Sequence, residues 1–344
     1  MDDPIDRGES YDPLSTLPSD PAAAPKPSDD RAQSRIFYGP NELRAGWRLL
    51  IFLAILSVLF SISALVLRLL AHRPGPRAGL TPGAALLGEG IPLLFVWIAS
   101  SVMARLERRT IADYGLPRLQ AFGTRTWQGA LAGFASISAL LGAMRIAGAF
   151  HLSGLALRGI EIWKYALLWG AVFVVVALFE EFFFRGYVLF TLTTGVGFWP
   201  AAIVSSAAFG YVHHSNSGET WVGAFAAGMV GLLFCLLLRR TGYLWMAIGF
   251  HTAWDWGETY FYGVADSGYV APGHLFKATF SGPQWLTGGT VGPEGSYLCL
   301  GLLVLLWLIF ALWLREEKYP NPAAVAVRNP RLELLDTLPP AGFS

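Results

Sequence analysis

The sequence predicts an all-α, polytopic membrane protein, a bundle of about eight transmembrane helices around a buried polar site. Its 344 residues are 54% hydrophobic and 14% charged, whereas soluble domains average about 25% charged residues. Residues 49–67 carry no charge, and this length is close to the roughly 20 residues that cross a bilayer as a helix. Seven further apolar stretches follow, at about 83–104, 127–145, 165–194, 198–213, 221–238, 243–260 and 297–314.

Two polar tails flank the membrane region. Residues 1–40 are rich in Pro and Asp and have too little apolar surface to offset their ordering entropy, so we expect a disordered tail. We expect the membrane domain to cover 45–315 and a second tail to cover 316–344. Loops on the side of the termini carry thirteen Lys and Arg against seven on the other side, which predicts that both termini are cytoplasmic. Residues 261–296 would then lie on the opposite side of the membrane from the termini.

Charge and cysteine content argue against two kinds of function. The 25 basic and 24 acidic residues leave no excess of positive charge to hold a nucleic-acid backbone, so we expect no nucleic-acid partner. Cys235 and Cys299 both lie in apolar runs, where cysteine acts as a small hydrophobic residue. We therefore expect neither a disulfide nor a thiolate ligand.

Ionisable residues inside the predicted spans indicate a functional site. An Asp or Arg costs roughly 2.5–3.5 kcal/mol at the centre of a membrane helix, so several ionisable residues must face one another or internal water. They lie in the fourth, fifth and seventh predicted spans: Glu180, Glu181, Arg185, His213, His251 and Asp255. Glu89, Glu219 and Glu258, near the spans, are interpreted as peripheral. Trp254 could line a substrate groove, but it is interpreted as an interfacial anchor.

Helical spacing separates the roles of these residues. Glu181 and Arg185 are four apart and predict a buried structural ion pair on one helix face, which leaves Glu180 as the better candidate for chemistry. His251 and Asp255 are also four apart, as in two metal ligands, a histidine with its orienting acid, or a hydrogen-bonded structural pair. We expect Glu180, His213 and His251 to converge on a shared point.

These motifs resemble the CPBP family of intramembrane proteases, the CAAX protease and bacteriocin-processing family related to type II CAAX prenyl endopeptidases. The family pattern is Glu-Glu-x-x-x-Arg, then Phe-x-x-x-His, then His-x-x-x-Asn or Asp. It is met here by Glu180, Glu181 and Arg185, by Phe209 and His213, and by His251 and Asp255. Residues 109–116 and 286–295 also look like segments of bacterial members. The resemblance covers about 45–315.

The resemblance implies an intramembrane endopeptidase in a bacterial inner membrane that acts on a peptide or protein substrate at the lipid bilayer. Its catalytic residues would be Glu180, Glu181, His213, His251 and Asp255. In one form, His213, His251 and a carboxylate, Glu180 or Asp255, hold a divalent metal, zinc above all, that activates water.

In a second form no metal is bound. Glu180, assisted by His213, deprotonates water, while His251 and Asp255 stabilise the oxyanion. Asp255 in place of Asn favours the metal form, because a carboxylate does not donate a hydrogen bond unless it is protonated. Specificity for prenylated substrates is not carried over. Two alternatives remain: a transporter or proton relay that uses the same residues, and a non-catalytic scaffold or immunity protein.

Overall fold

The computed structural model describes residues 43–70, 81–216 and 218–320, so the predicted tail at 1–40 and most of the tail at 316–344 lie outside the described residues. The described chain is built mainly of helices. Their bounds are α1 Ala45–Leu70, α2 Pro82–Leu106, α3 Thr124–Ile146, α4 Ile160–Glu181, α5 Leu189–Val196, α6 Phe198–His213, α7 Trp221–Thr241, α8 Trp245–Asp255, α9 Gln284–Thr287 and α10 Tyr297–Trp313.

Each of the eight predicted apolar stretches contains a helix, which confirms the polytopic helical bundle. Five helices within the described residues are long and apolar enough to cross a membrane: Ala45–Leu69, Pro82–Leu106, Thr124–Ile146, Ile160–Val196 and Trp221–Thr241. The other three predicted spans are shorter as helices. They are the 16-residue α6, the 11-residue α8 with a seven-residue π-helical extension, and the 17-residue α10.

A π-helical segment, Phe182–Val188, joins α4 to α5 directly after the Glu180-Glu181 pair. Gly186 bends the backbone there with a ψ of −107°, and a Cβ at this position would press into the Phe182 ring. Wide turns of this kind are frequent at functional sites because they turn side chains away from the regular helical positions. Here the turn carries Arg185 on the helix that also presents Glu180.

Glycines bring α3 into close contact with α8, the helix that carries His251. A Cβ at Gly129 would overlap the Met246 carbonyl, and one at Gly133 would overlap the Phe250 carbonyl. Gly129 and Gly133 form the small-xxx-small spacing that lets membrane helices pack backbone to backbone. The position of α8 is therefore fixed by contacts that side chains larger than hydrogen would prevent.

A buried polar network lies where α2 ends and connects three parts of the bundle. The Glu107 carboxylate, at the end of α2, accepts two hydrogen bonds from Arg48 of α1, at 3.0 and 2.6 Å. It also accepts from the hydroxyls of Tyr114 at 3.2 Å and Tyr187 at 2.6 Å. Tyr187 belongs to the π-helical segment, so this network connects α1 and α2 to the turn that carries Arg185.

A two-stranded antiparallel sheet was not predicted. Strands β1 (Phe150–Leu155) and β2 (Phe276–Phe280) pair with Phe150 opposite Phe280. The two segments lie more than 120 residues apart, and such pairing leaves no local periodicity in either segment. The sheet fastens the 261–296 segment to the connection between α3 and α4, over the end of the bundle where the motif residues lie.

Candidate active site

Four of the predicted site residues line one cavity of about 430 Å³. Glu180 enters from α4, His213 from α6, and His251 and Asp255 from α8. The volume lies in the range of pockets that bind small ligands, about 300–1,000 Å³. The three motif helices thus converge on one cavity, as expected because their ionisable side chains would be costly in contact with lipid.

His251 lies at the centre of a carboxylate cluster. Its Nδ1 is 3.1 Å from Glu181 Oε1, and its Nε2 is 3.3 Å from Asp255 Oδ2 and 3.7 Å from Glu180 Oε2. An ionised carboxylate only accepts hydrogen bonds, so the Nδ1–H donates to Glu181. This fixes the ring and directs Nε2 towards the two carboxylates that line the cavity.

Glu181 and Arg185 lie 3.2 Å apart, with both side chains completely buried. The Arg185 guanidinium also stacks over the Phe209 ring, 4.1 Å from its centroid. Because Glu181 Oε1 contacts both Arg185 and His251, the carboxylate connects the buried cation to the cavity. It is more than the isolated structural pair that helical spacing alone predicts.

His213 lies in the cavity wall on α6, with its Nδ1 3.0 Å from the Phe209 carbonyl one turn earlier. A carbonyl only accepts, so Nδ1 carries the hydrogen and Nε2 keeps its lone pair in the neutral ring. The Phe209 ring packs against His213 at 4.2 Å between centroids. Phe209, the first residue of its motif, therefore supports both His213 and Arg185.

The chemistry of the donor set fits a divalent metal. In both His213 and His251, Nδ1 donates to an oxygen, as metal-binding histidines do, and Nε2 of His251 faces Asp255 and Glu180, two carboxylates that could share an ion with it. However, the described residues whose ligand atoms lie within 4.8 Å of one another are a different group, Glu258, Asp266 and Glu294. The zinc ligands named from the sequence therefore stay a prediction.

The structure adds residues that the sequence interpretation placed elsewhere. Glu89 and Glu219, interpreted as peripheral, line the cavity, and Glu258 is fully buried. Trp254 is also buried, which corrects its interpretation as an interfacial anchor. Its Nε1 donates to Glu258 Oε2 at 3.0 Å and to Glu294 Oε1 at 2.9 Å.

Five cavity residues come from the 261–296 segment, and two of them, Asp266 and Glu294, are acidic. Burial, together with the nearby Asp255, raises the pKa of Glu294 to about 7. Burial is also the largest cause that raises the pKa of Asp266, followed by the charges of Asp255 and Glu294. Glu294 lies within 286–295, which the family resemblance had marked, but no residue spacing predicted that it reaches the site.

Comparison with protein families gives a match to the middle of the chain. Residues 162–257 match the family described as type II CAAX prenyl endopeptidase Rce1-like. The matched segment begins in α4 and ends just after α8, and it contains all of the motif residues: Glu180, Glu181, Arg185, Phe209, His213, His251 and Asp255. No curated protein matches the chain. Over this segment, which is part of the 45–315 range of the resemblance, the match confirms the family resemblance on which the sequence prediction rests.

Proposed function

Since residues 162–257 carry the Rce1-like pattern, we propose that this membrane protein is an endopeptidase that hydrolyses peptide bonds in or beside the membrane. The observation that carries the proposal is the 3.7 Å separation of Glu180 and His251 inside a cavity that His213 and Asp255 also line. A carboxylate and imidazoles around one enclosed space can move a proton and stabilise a developing charge. The proposal does not extend to prenylated substrates, for which none of these side chains is specific.

Glu180 is the proposed general base. Its side chain is 19% exposed towards the cavity, whereas Glu181 is fully buried and engaged by Arg185 and His251. Glu180 would take a proton from water as the water oxygen attacks the peptide carbonyl carbon. The same proton would then pass to the leaving amine nitrogen as the C–N bond breaks, which returns Glu180 to its carboxylate form.

His213 and His251 are the proposed groups that stabilise the oxyanion and position water. In its protonated form, His251 can donate from Nε2 while its Nδ1 stays bonded to Glu181. Asp255, 3.3 Å from that nitrogen, would orient the ring and balance its charge. His213 would act through its own Nε2, because Nδ1 is held by the Phe209 carbonyl.

A divalent metal, zinc above all, is proposed at the same residues. Nε2 of His213, Nε2 of His251 and one carboxylate, Glu180 or Asp255, would hold it. When bound, such an ion lowers the pKa of its water to about 7 and polarises the substrate carbonyl. The hydrogen bonds at both Nδ1 atoms support this assignment, because they leave Nε2 of each ring as the nitrogen that would bind the ion, and Nε2 of His251 faces the Asp255 and Glu180 carboxylates.

Cleavage of a quenched fluorescent peptide by the protein reconstituted in lipid vesicles tests the function. Glu180→Gln should lower the rate by about 10²- to 10⁴-fold, the usual contribution of a positioned base. Glu161→Gln is the matched control, because Glu161 is half-exposed on α4, lies outside the cavity and pairs with Lys164. Equal cleavage by wild type and Glu180→Gln would refute the assignment, and proton flux without cleavage would favour a proton relay.

Chelation separates the metal-bound form from the metal-free form. If a metal is required, a strong chelator should abolish cleavage, zinc should restore it, and His251→Ala should lower the metal content measured by mass spectrometry. If the residues act alone, cleavage should persist in metal-free protein. His251→Ala should then lose about 10²- to 10³-fold in rate, the usual effect of one oxyanion donor.

A further inference from the structure

The charges that line the cavity are strongly one-sided. Among the residues of 43–70, 81–216 and 218–320 that line it, none is lysine or arginine, and the basic groups are the two histidines, His213 and His251. The carboxylates are Glu89, Glu180, Glu219, Asp255, Asp266 and Glu294. A low-dielectric cavity lined by one sign of charge concentrates ligands of the opposite sign.

Apart from Glu89, which comes from α2, the carboxylates divide into two groups. Glu180 and Asp255 lie within 3.7 Å of His251, so an imidazolium there can balance them. On the side formed by the start of α7 and the 261–296 segment, Glu219, Asp266 and Glu294 line the cavity. We call these three residues the acidic wall.

The hydrogen bonds that the acidic wall accepts come from neutral donors. Glu294 accepts from Trp254 Nε1 at 2.9 Å and Ser267 Oγ at 3.2 Å. Asp266 accepts from Thr259 Oγ1 at 2.8 Å. Neutral donors orient the carboxylates without adding a positive charge to the wall.

Glu258, behind the wall, adds a second and independent observation. One carboxylate oxygen each from Glu258, Asp266 and Glu294 lies within 4.8 Å of the other two. Glu258 is fully buried, and its Oε1 receives no hydrogen bond from any residue that the structure describes. A buried oxygen without a donor is costly, and carboxylates this close repel one another. A cationic ligand would relieve both costs.

We propose that the acidic wall is the subsite for a positively charged group of the substrate, a lysine ammonium or an arginine guanidinium, close to the scissile bond. This inference rests on the proposed peptidase function. Helix α8 connects the acidic wall to the proposed catalytic residues. It carries Asp255, which contacts His251, and Trp254, which donates to Glu294. A cavity of about 430 Å³ holds only a short piece of peptide, so the charged residue must lie near the bond that is cut.

A binding experiment tests the subsite without requiring cleavage. The full chain with Glu180→Gln is reconstituted in lipid nanodiscs and titrated with capped hexapeptides of alanine and leucine that carry an uncharged dye. The peptides differ at one central residue, which is lysine, arginine, glutamine or glutamate. We expect the lysine and arginine peptides to bind at least about tenfold more tightly than the glutamine peptide, a difference of about 1.4 kcal/mol, and the glutamate peptide to bind most weakly.

Wall variants then locate the preference. Adding Glu294→Gln to the Glu180→Gln protein should reduce the preference for lysine over glutamine to less than about threefold, since one charged partner of the cation is lost. Glu161→Gln, the same change at a half-exposed carboxylate outside the cavity, should leave the preference intact. Asp266→Asn serves as a second wall variant if Glu294→Gln lowers the folded yield.

Several results would overturn the inference. They are equal binding of the four peptides, no binding of any of them, or a lysine preference that survives both Glu294→Gln and Asp266→Asn. Binding of Ca²⁺ that Glu294→Gln abolishes, without a lysine preference, would show a metal site instead. The proposed function is tested separately by cleavage: a wild-type protein that cleaves without charge preference refutes only the subsite. Wall-dependent lysine binding by a protein that cleaves nothing refutes only the peptidase.

Discussion

Replacing Arg185 by methionine should destabilise the bundle strongly, because Glu181 would keep a buried charge without its cation. The two side chains lie 3.2 Å apart and are both fully buried. Removal of one partner from a buried pair typically costs about 3–5 kcal/mol. The cation–π contact between Arg185 and Phe209, at 4.1 Å, is lost as well and has a typical value of about 0.5–2 kcal/mol.

His251 moderates this loss, because its Nδ1 still donates to Glu181 Oε1 at 3.1 Å. We therefore expect the lower end of the range, about 3 kcal/mol for Arg185→Met. At about 2–4 °C per kcal/mol, the melting temperature should fall by about 6–12 °C. The double variant Glu181→Gln with Arg185→Met should melt above Arg185→Met alone, since no unpaired charge remains buried.

Thermal unfolding in detergent, followed with a thiol-reactive fluorescent dye, measures this effect. Cys235 and Cys299 are both free and buried, so the dye reports their exposure on unfolding. Lys164→Met is the control: Lys164 pairs with Glu161 at 3.0 Å, but about half of each side chain is exposed, and the melting temperature should not change measurably. If Arg185→Met melts with the wild type and only cleavage is lost, the structural role is refuted and Arg185 belongs to the chemistry.

Three further predictions concern packing, the buried polar network and pH. Gly133→Leu should abolish the monodisperse peak on size-exclusion chromatography, because the leucine side chain would collide with the Phe250 carbonyl. Gly142→Leu, on the same helix, meets open space and should fold. Equal yields of the two variants would contradict the close packing of α3 on α8. Glu107→Gln keeps the size of the side chain but removes the charge that accepts four hydrogen bonds. The free energy of unfolding should therefore fall by about 1.5–3 kcal/mol, measured as a lower melting temperature. An unchanged melting temperature would show that the network contributes no stability. The pKa of Glu294 is raised from 4.5 to about 7, so the folded state binds its proton more tightly than the unfolded state and the free energy of unfolding falls as pH rises from about 4.5 to about 7. Glu294→Gln should therefore reduce the fall in melting temperature over this pH range. An equal fall in the variant and the wild type would refute the shift.

The sequence by itself determined the class of protein and the side chains that carry the motifs. Hydropathy is a sum over about twenty consecutive residues, so the apolar stretches that became α1, α2, α3 and α7 are visible without tertiary information. Spacing of four within one helix is equally local, and it predicted that Glu181 and Arg185 would meet. The cost of ionisable groups in lipid also required that Glu180 and His251 face an interior.

Tertiary structure alone decided which partners those side chains share. Helical spacing treats Glu181 as satisfied by Arg185, but only the packing of α4 against α8 brings His251 to the same oxygen. The tight approach of α3 depends on carbonyls of another helix above Gly129 and Gly133. Neither contact has a signature in the local sequence, because both join residues about 70 or more positions apart.

The acidic wall illustrates the same limit. Asp266 and Glu294 lie in a segment without helical periodicity, and β2 ties that segment to β1, more than 120 residues away. A carboxylate in such a segment is indistinguishable from a solvated loop residue until the chain folds it over the cavity. Local patterns record burial and helix faces, whereas the charge around a site is set by segments that meet only in three dimensions.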